Sequence, residues 1–255
     1  MRVNAKMKTI SGIVLGLAIA SSGTIGAQAP EKAPKIPGSK EVIQWGEGPD
    51  GIVRAGKPIA KGWKSIFDGK TLKGWRLEKG YWQVKDGAII GDKGGDTPHH
   101  HYLFTDKDYS DFEMHIDVKM VGYNSGVCCR IQPTSFDDVP GYQVDMGDGY
   151  WGCLWDEHHR QKKIFDFPKE EAEKILRKED WNHYYFKCVG SHVAIYLNGV
   201  KTAEGEDPGG FPSGPIGFQL CHGGNTVALF KNIYVKLLKP ATPGTAPASN
   251  DKPEP

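Results

Sequence analysis

"DFEMHIDVKM", residues 111 to 120, decides the fold class, because its side chains alternate between apolar and polar types. The apolar positions are Phe112, Met114, Ile116, Val118 and Met120, and every position between them is polar. A β-strand with one buried face produces this two-residue period. The stretch therefore predicts a strand that packs one face on an apolar core.

The same alternation recurs at short intervals toward the carboxyl end of the chain. It is found in "SGVCCRIQ" (125–132), "GYQVDMG" (141–147), "NHYYFKCVG" (182–190), "HVAIYLNGVK" (192–201), "GPIGFQLCH" (214–222) and "VALFKNIYVKLL" (227–238). Asn198-Gly199 is a hairpin turn signal between two of these runs. Closely spaced strands with almost no helix predict an all-β, antiparallel β-sandwich.

One short helix is predicted in "KEEAEKILRK", residues 169 to 178. Its acidic residues come early and its basic residues late, which complements the helix dipole. Pro168 fits the first turn, and Asp166 is the predicted capping residue.

The two ends of the chain differ in composition from its middle. Residues 1–29 combine a basic start, an apolar run and small residues, the pattern of a secretory signal peptide. The apolar run is too short for a stable membrane anchor, so we expect an exported protein, periplasmic or extracellular. Residues 30–60 are interpreted as an extended leader, 61–238 as the single domain and 239–255 as a disordered Pro-rich tail.

Charge and cysteine content narrow the partners. Removing the three basic residues of the signal peptide takes the formal charge from +1 to −2, and no basic stripe favours nucleic acid. The five cysteines of the 255 residues lack metal-type spacing, so we interpret them as core thiols with one disulfide at most. The sequence identifies no cofactor and leaves a metal requirement and the oligomeric state open.

Eight motifs occur in the order seen in a known family. They are "GWKSIFDGKTLKGW", "GYWQVKDGAI", "YSDFEMHIDVKM", "YNSGVCCRIQ", "GYQVDM", "DWNHYYFKC", "YLNGVK" and "GPIGFQLCHGG". Over residues 61–238 the chain resembles the 3-keto-disaccharide hydrolase domain family. The resemblance implies a concanavalin A-like jelly roll and action on glycosides oxidised to a ketone at C3, with a small carbohydrate as the partner.

Chemistry next to a C3 ketone requires three groups. A base removes the C2 proton, a cation or hydrogen-bond donor stabilises the enediolate, and an acid helps the C1 substituent leave. Arg130 is the predicted stabiliser, and His222, at a strand end before two glycines, is a candidate base. The residues leave open which of His222, Asp145 and Glu157 is base and which is acid.

A polar platform is predicted beside Arg130. By strand parity Arg130 and Gln132 lie on the polar face of "SGVCCRIQ", and Gln143 and Asp145 lie on that of "GYQVDMG". The alternative is a solvated outer face of the sandwich. Asn124, before the first of these strands, is either a turn residue or a ligand contact.

The segment "WGCLWDEHHRQKK", residues 151 to 163, is the remaining candidate. Trp151 and Trp155 are predicted at the rim of a sugar groove, where indole faces pack on C–H surfaces. Asp156 or Glu157 would act as acid and Arg160 would hold its geometry. The alternative is an exposed loop of mixed charge.

Three further interpretations stay open or are disfavoured. A non-catalytic carbohydrate-binding module of the same fold remains the alternative function. A laminarinase-type glucanase is disfavoured because no Glu is followed by Asp two residues later. The consecutive histidines 99–101 are interpreted as a solvated loop rather than a metal site, since neighbouring residues of an extended chain point in different directions.

Overall fold

A computed structural model describes residues 62–239. The predicted signal peptide (1–29), the leader (30–60) and the tail beyond residue 239 lie outside the described residues. The first ten strands are β1 (Trp63–Ser65), β2 (Trp75–Leu77), β3 (Trp82–Lys85), β4 (Ala88–Gly91), β5 (His101–Tyr109), β6 (Phe112–Val121), β7 (Asn124–Cys129), β8 (Gly141–Gly147), β9 (Leu154–Glu157) and β10 (Lys162–Phe165). They are followed by α1 (Lys169–Ile175), β11 (Asn182–Val189), β12 (His192–Leu197), β13 (Val200–Glu206), β14 (Gly214–Leu220) and β15 (Val227–Leu237).

Two antiparallel sheets pack face to face. The first runs β13-β12-β11-β6-β15-β4-β3, with β1 added to β15, and the second runs β10-β9-β8-β7-β14-β5-β2. The predicted all-β jelly-roll sandwich is confirmed. The Asn198-Gly199 turn joins β12 to β13 with positive φ at both residues, as a two-residue hairpin requires.

The core lies between the sheets and is built from the alternating positions. From β6, Phe112, Met114, Ile116 and Val118 are fully buried in it. The second sheet contributes the residues that alternate with its polar side chains. These core residues are Val127, Val144, Leu154, Phe218 and Leu220. Because a one-residue slip would turn these side chains outward, burial of the core fixes which residues appear on the outer face of the second sheet.

The helix forms where it was predicted, but its cap differs. α1 spans Lys169–Ile175 and its N-cap is Pro168, without a side-chain cap. The prediction for Asp166 is wrong because its Oδ1 accepts hydrogen bonds from the Phe167 N–H and, at 2.7 Å, from Lys163 Nζ. No helix within residues 62–239 is long and apolar enough to cross a membrane.

All five cysteines are buried free thiols. Cys128 and Cys129 point to opposite faces of the second sheet, as their adjacency on a strand predicts. Cys129 faces the core, where its sulfur lies 4.0 Å from that of Cys188. This is about twice a disulfide bond length of ~2 Å, so the pair is unbonded.

Candidate functional site

The outer face of the second sheet collects polar side chains from several strands. On β8, Gln143 and Asp145 face outward while Val144 and Met146 enter the core. On β14, Gln219 faces outward between the core residues Phe218 and Leu220. Strand alternation therefore creates a polar surface directly behind the apolar core.

This outer face is strongly curled. Tyr102 on β5 and Glu157 on β9 are separated by three intervening strands, a span of roughly 19 Å in a flat sheet. Nevertheless the Tyr102 hydroxyl donates a hydrogen bond to Glu157 Oε1 at 3.2 Å. The curl turns the polar surface into a concave pocket.

The pocket has a volume of about 250 Å³. It is lined by His100, Tyr123, Asn124, Gln143, Asp145, Tyr150, Trp155, Glu157, Gln219, Cys221 and His222. Drug-sized ligands occupy pockets of roughly 300–1,000 Å³. A smaller ligand such as a single sugar ring suits this space.

Asp145 is the most perturbed carboxyl group of the pocket. Its side chain is buried, and burial raises its pKa to about 7 despite a hydrogen bond from Asn124. Asn124 Nδ2 donates to Oδ1 at 2.9 Å, and the Met146 N–H donates to the same oxygen at 2.8 Å. Oδ1 is thus fixed, and a proton carried near neutral pH belongs on Oδ2.

Glu157 is shifted in the opposite direction. Burial acts to raise its pKa. Hydrogen bonds from His158 and the Tyr102 hydroxyl, together with the positive charge of His158, outweigh burial and bring the pKa below its ordinary value. His158 Nε2 lies 3.1 Å from Glu157 Oε1, and this partner raises the pKa of His158. The pocket therefore holds two carboxyl groups whose pKa values are driven apart by their surroundings.

The floor of the pocket depends on a glycine. A Cβ on Gly126 of β7 would lie 2.3 Å from Cγ of Gln143. Gly126 therefore lets the Gln143 side chain lie flat across its neighbouring strand. In that position Gln143 Nε2 donates to Gln219 Oε1 at 3.3 Å and Gln143 Oε1 accepts from Cys128 Sγ at 3.3 Å.

The aromatic wall differs in part from the prediction. Trp155 lines the pocket and meets Tyr150 edge to face, with ring centroids 5.9 Å apart. The predicted placement of Trp151 at the rim is wrong, because this residue lies in the turn before β9 and stacks on Tyr184 instead. Tyr150 takes the second aromatic position.

Arg130 and Gln132 lie away from the pocket, so their predicted placement on the platform is wrong. β7 ends at Cys129, and Arg130 has φ of 51°, which interrupts the two-residue alternation. The buried Arg130 guanidinium donates to the carbonyls of Ser110 and Gly190 at 2.7 and 2.6 Å and pairs with Asp111 at 3.1 Å. Gln132 Nε2 donates to the Ser213 carbonyl at 2.8 Å.

Asp156 and Arg160 also lie outside the pocket. Asp156 has the parity opposite to Trp155 and Glu157, is buried, and pairs with Arg160 and His159. Arg160 continues to Asp207 through two hydrogen bonds, one of 2.8 Å. This network ties the end of β9 to the segment after β13, a structural rather than a catalytic arrangement.

Asn124 and His222 are brought into the pocket. Asn124 begins β7 rather than forming a turn, and His222 lies in the exposed loop after β14. The His222 ring is 4.4 Å from that of His100 between centroids.

The three consecutive histidines do point in different directions. His100 lines the pocket, while the buried His101 Nδ1 lies 2.9 Å from Glu78 Oε2. The solvated-loop interpretation is therefore wrong for His100 and His101. Burial lowers the pKa of His100 to about 4.

A larger cavity lies elsewhere but carries less chemistry. It has a volume of about 520 Å³ and opens beside β1, β5 and β15. Among the described residues that line it there is no histidine and a single carboxylate, Asp106. We therefore assign the candidate site to the smaller pocket, where titratable groups converge.

Sequence reasoning missed several pocket residues. Gln219 carried a usable signal, since it is the polar position between Phe218 and Leu220, and Gly126 inside a strand indicates close approach of another group. The histidine tract 99–101 was noticed but interpreted as a solvated loop, and Tyr150 and Tyr102, which donates to Glu157, had no comparable signal. They reach the site through the curl of the sheet and the turn after β8.

Comparison with known proteins adds the family. Residues 62–236 match the family described as the 3-keto-alpha-glucoside-1,2-lyase-like domain. No curated protein matches the chain at a significant level.

Solved structures share the fold. Two proteins of Parabacteroides distasonis, provisionally described as glycosyl hydrolases, align with TM-scores of 0.52 and 0.51 at 22% and 25% identity. These alignments cover 70% and 69% of this chain and 95% and 99% of the other chains. The carbohydrate-binding module CBM66 of Bacillus subtilis aligns with a TM-score of 0.50 at 16% identity, over 64% of this chain and 95% of the module.

Proposed function

The chain belongs to the 3-keto-alpha-glucoside-1,2-lyase-like domain family, and on this premise we propose that its pocket cleaves 3-keto-glycosides by elimination across C1 and C2, followed by hydration. The broader assignment, to a glycosyl hydrolase-like or carbohydrate-binding group, follows from the family and the fold. The finer assignment is supported by the chemistry that the pocket can perform.

The proposed reaction is redox-neutral. A base takes the proton from C2, which the C3 ketone acidifies, and the electron pair is delocalised as an enediolate. Collapse of the enediolate forms the C1–C2 double bond while the C1–O bond breaks, and an acid protonates the departing oxygen. Water then adds at C1 and a proton returns to C2, so the net change is hydrolysis.

The observation that carries the proposal is the buried Asp145 carboxyl group of the pocket, whose pKa is raised by burial. Asp145, with its pKa raised to about 7, is protonated in a large fraction of molecules at neutral pH, which suits the acid for the leaving oxygen. We assign the C2 base to His222, whose ring stands at the open side of the pocket. Trp155 supplies the apolar face on which the sugar packs.

An isotope experiment tests this reaction. The protein is incubated with an alkyl 3-keto-glucoside that carries deuterium at C2, and with the unoxidised parent glucoside. We expect release of the alcohol from the keto compound only, together with loss of deuterium to water. The measurements are chromatography of the alcohol and mass spectrometry of the sugar.

Each other outcome contradicts a named part of the proposal. Turnover with retention of deuterium at C2 would exclude elimination. Release of alcohol from the unoxidised glucoside would indicate a conventional glycosidase. Saturable binding without any release would favour a carbohydrate-binding module, the function that the CBM66 likeness in fold keeps in view.

We also propose that the enzyme acts after export. The support is the composition of residues 1–29, with a basic start, an apolar run and small residues near Ala27 and Ala29. Protein expressed from the full sequence in a bacterial host is expected to begin just after one of these alanines when recovered from the periplasm or medium. Amino-terminal sequencing that finds Met1 on the recovered protein would contradict export by cleavage.

A further inference from the structure

Three metal-ligating side chains converge at one end of the pocket. They are His100, Glu157 and His158, and one donor atom from each lies within 4.8 Å of the other two. His100 precedes β5, whereas Glu157 ends β9 and His158 follows it, so the group is assembled by the curl of the sheet. His100 and Glu157 also line the pocket where the sugar would lie.

The donor set selects the kind of ion. Two imidazole nitrogens and one carboxylate oxygen are typical of Zn²⁺ sites that keep a position open, and of other first-row transition metals. Ca²⁺ and Mg²⁺ prefer sets made of oxygen alone. Donor atoms bound at 2.0–2.1 Å lie about 3.3 Å apart in a tetrahedral site. His158 Nε2 and Glu157 Oε1, at 3.1 Å, already meet this spacing, and the donor atom of His100 lies within 4.8 Å of both.

Outer groups orient Glu157 and His158, the two ligands at the end of β9. The Tyr102 hydroxyl donates to Glu157 Oε1, and His158 Nδ1 lies 3.1 Å from Asp138 Oδ1 and 3.1 Å from the backbone nitrogen of Val139. A carboxylate on the second ring nitrogen is the usual support of a metal-bound histidine, because it leaves Nε2 free to ligate. His158 also has φ of 49°, an uncommon conformation for a residue other than glycine.

We propose that His100, Glu157 and His158 bind one divalent transition-metal ion, which coordinates the C3 ketone oxygen of the substrate. The ion would carry the negative charge of the enediolate, the position that the buried Arg130 cannot fill. Among the described residues, no lysine or arginine lines the pocket. The role toward the ketone rests on the proposed function, whereas the existence of the site does not.

The site is tested by binding, without substrate. The full-length protein is stripped with a chelator and titrated with Zn²⁺ in a calorimeter, and with Co²⁺ while its visible absorption is recorded. We expect one ion per chain and a Co²⁺ spectrum typical of nitrogen and oxygen ligands. Ca²⁺ is expected to give no comparable heat.

Variants locate the ion. His100→Ala, Glu157→Gln and His158→Asn are each expected to weaken Zn²⁺ binding by more than about 100-fold, since each removes a ligand while Asn tolerates the positive φ. Asp138→Asn is expected to weaken binding roughly 10-fold. His99→Ala is the matched control in the same histidine tract, and its Zn²⁺ affinity is expected to equal that of the unmodified protein.

Binding and turnover separate this inference from the proposed function. Equal Zn²⁺ affinities in the unmodified protein and the three ligand variants would overturn the site. Full turnover of the 3-keto substrate by metal-free protein would overturn the role of the ion while leaving the reaction intact. Zn²⁺ binding lost in the ligand variants, in a protein that never cleaves a 3-keto-glycoside, would support the site and contradict the reaction.

Discussion

Asp145→Asn is expected to lower kcat on a 3-keto-glycoside by roughly 10²–10⁴-fold, the usual contribution of a general acid or base. Asparagine keeps the acceptor that meets the Met146 N–H, so the shape of the pocket is preserved. What disappears is the proton on Oδ2. Steady-state kinetics of the two proteins under saturating substrate measure the effect, with circular dichroism to confirm the fold.

The pH dependence identifies Asp145 as the group responsible. Its pKa is raised to about 7 by burial, so the acid form declines above that pH and kcat of the unmodified enzyme is expected to fall there. The Asn variant has no such group, and its residual rate is expected to lack this falling limb. A variant with near-normal kcat, or a limb that persists in it, would remove Asp145 from the role of acid.

The Asp145→Asn substitution is expected to increase stability above neutral pH although it lowers activity. Because the pKa of Asp145 is higher in the folded than in the unfolded chain, its stabilising contribution is complete below the unfolded pKa and is lost as pH rises toward 7. At pH 8 the folded protein holds a buried carboxylate that Asp145→Asn removes. Chemical denaturation at pH 8 is therefore expected to show a larger unfolding free energy for the variant.

Arg130→Ala is expected to lower the unfolding free energy by about 3–5 kcal/mol, the cost of breaking a buried ion pair. The substitution leaves Asp111 and the carbonyls of Ser110 and Gly190 without the guanidinium that now meets all three. Because Arg130 lies outside the pocket, kcat per folded molecule is expected to stay unchanged. Urea denaturation and active-site-normalised kinetics measure the two quantities.

An exposed arginine provides the matched control. Arg76 lies 3.8 Å from Asp106 with about half of its side chain in solvent, so Arg76→Ala is expected to cost about 1 kcal/mol or less. If Arg130→Ala folded as stably as this control yet lost turnover, Arg130 would act on the substrate after all.

The sequence was most informative where a strand kept its alternation. The parity of "GYQVDMG" placed Gln143 and Asp145 on one face, and both line the pocket. The same logic failed one strand earlier because Arg130 adopts a left-handed backbone conformation, which an arginine in the sequence does not indicate. Strand alternation also puts Trp155 and Glu157 on one face of β9 and Asp156 on the other. The sequence did not show where β9 begins, so this assignment was not available from it.

Contacts across several strands were beyond the sequence for a different reason. Tyr102 and Glu157 are 55 residues apart in the chain and meet only because the sheet curls. The degree of curl depends on packing of the whole sandwich rather than on any local pattern. Hence the chemistry expected for the site was predictable in kind, whereas the contact of Tyr102 with Glu157 and the approach of His100 to His158 were not.

The five buried free thiols provide probes of local opening, because the rate at which each thiol is alkylated depends on how often it becomes exposed. Burial raises the pKa of Cys128 well above its ordinary value and that of Cys221 to about 12, so neither sulfur reacts with an alkylating reagent while it stays enclosed. Cys221 borders the pocket, Cys128 lies beneath it, and Cys129 belongs to the sandwich interior. The order in which these sulfurs become labelled would show which parts of the domain open most often, from the mouth of the pocket to the interface between the sheets.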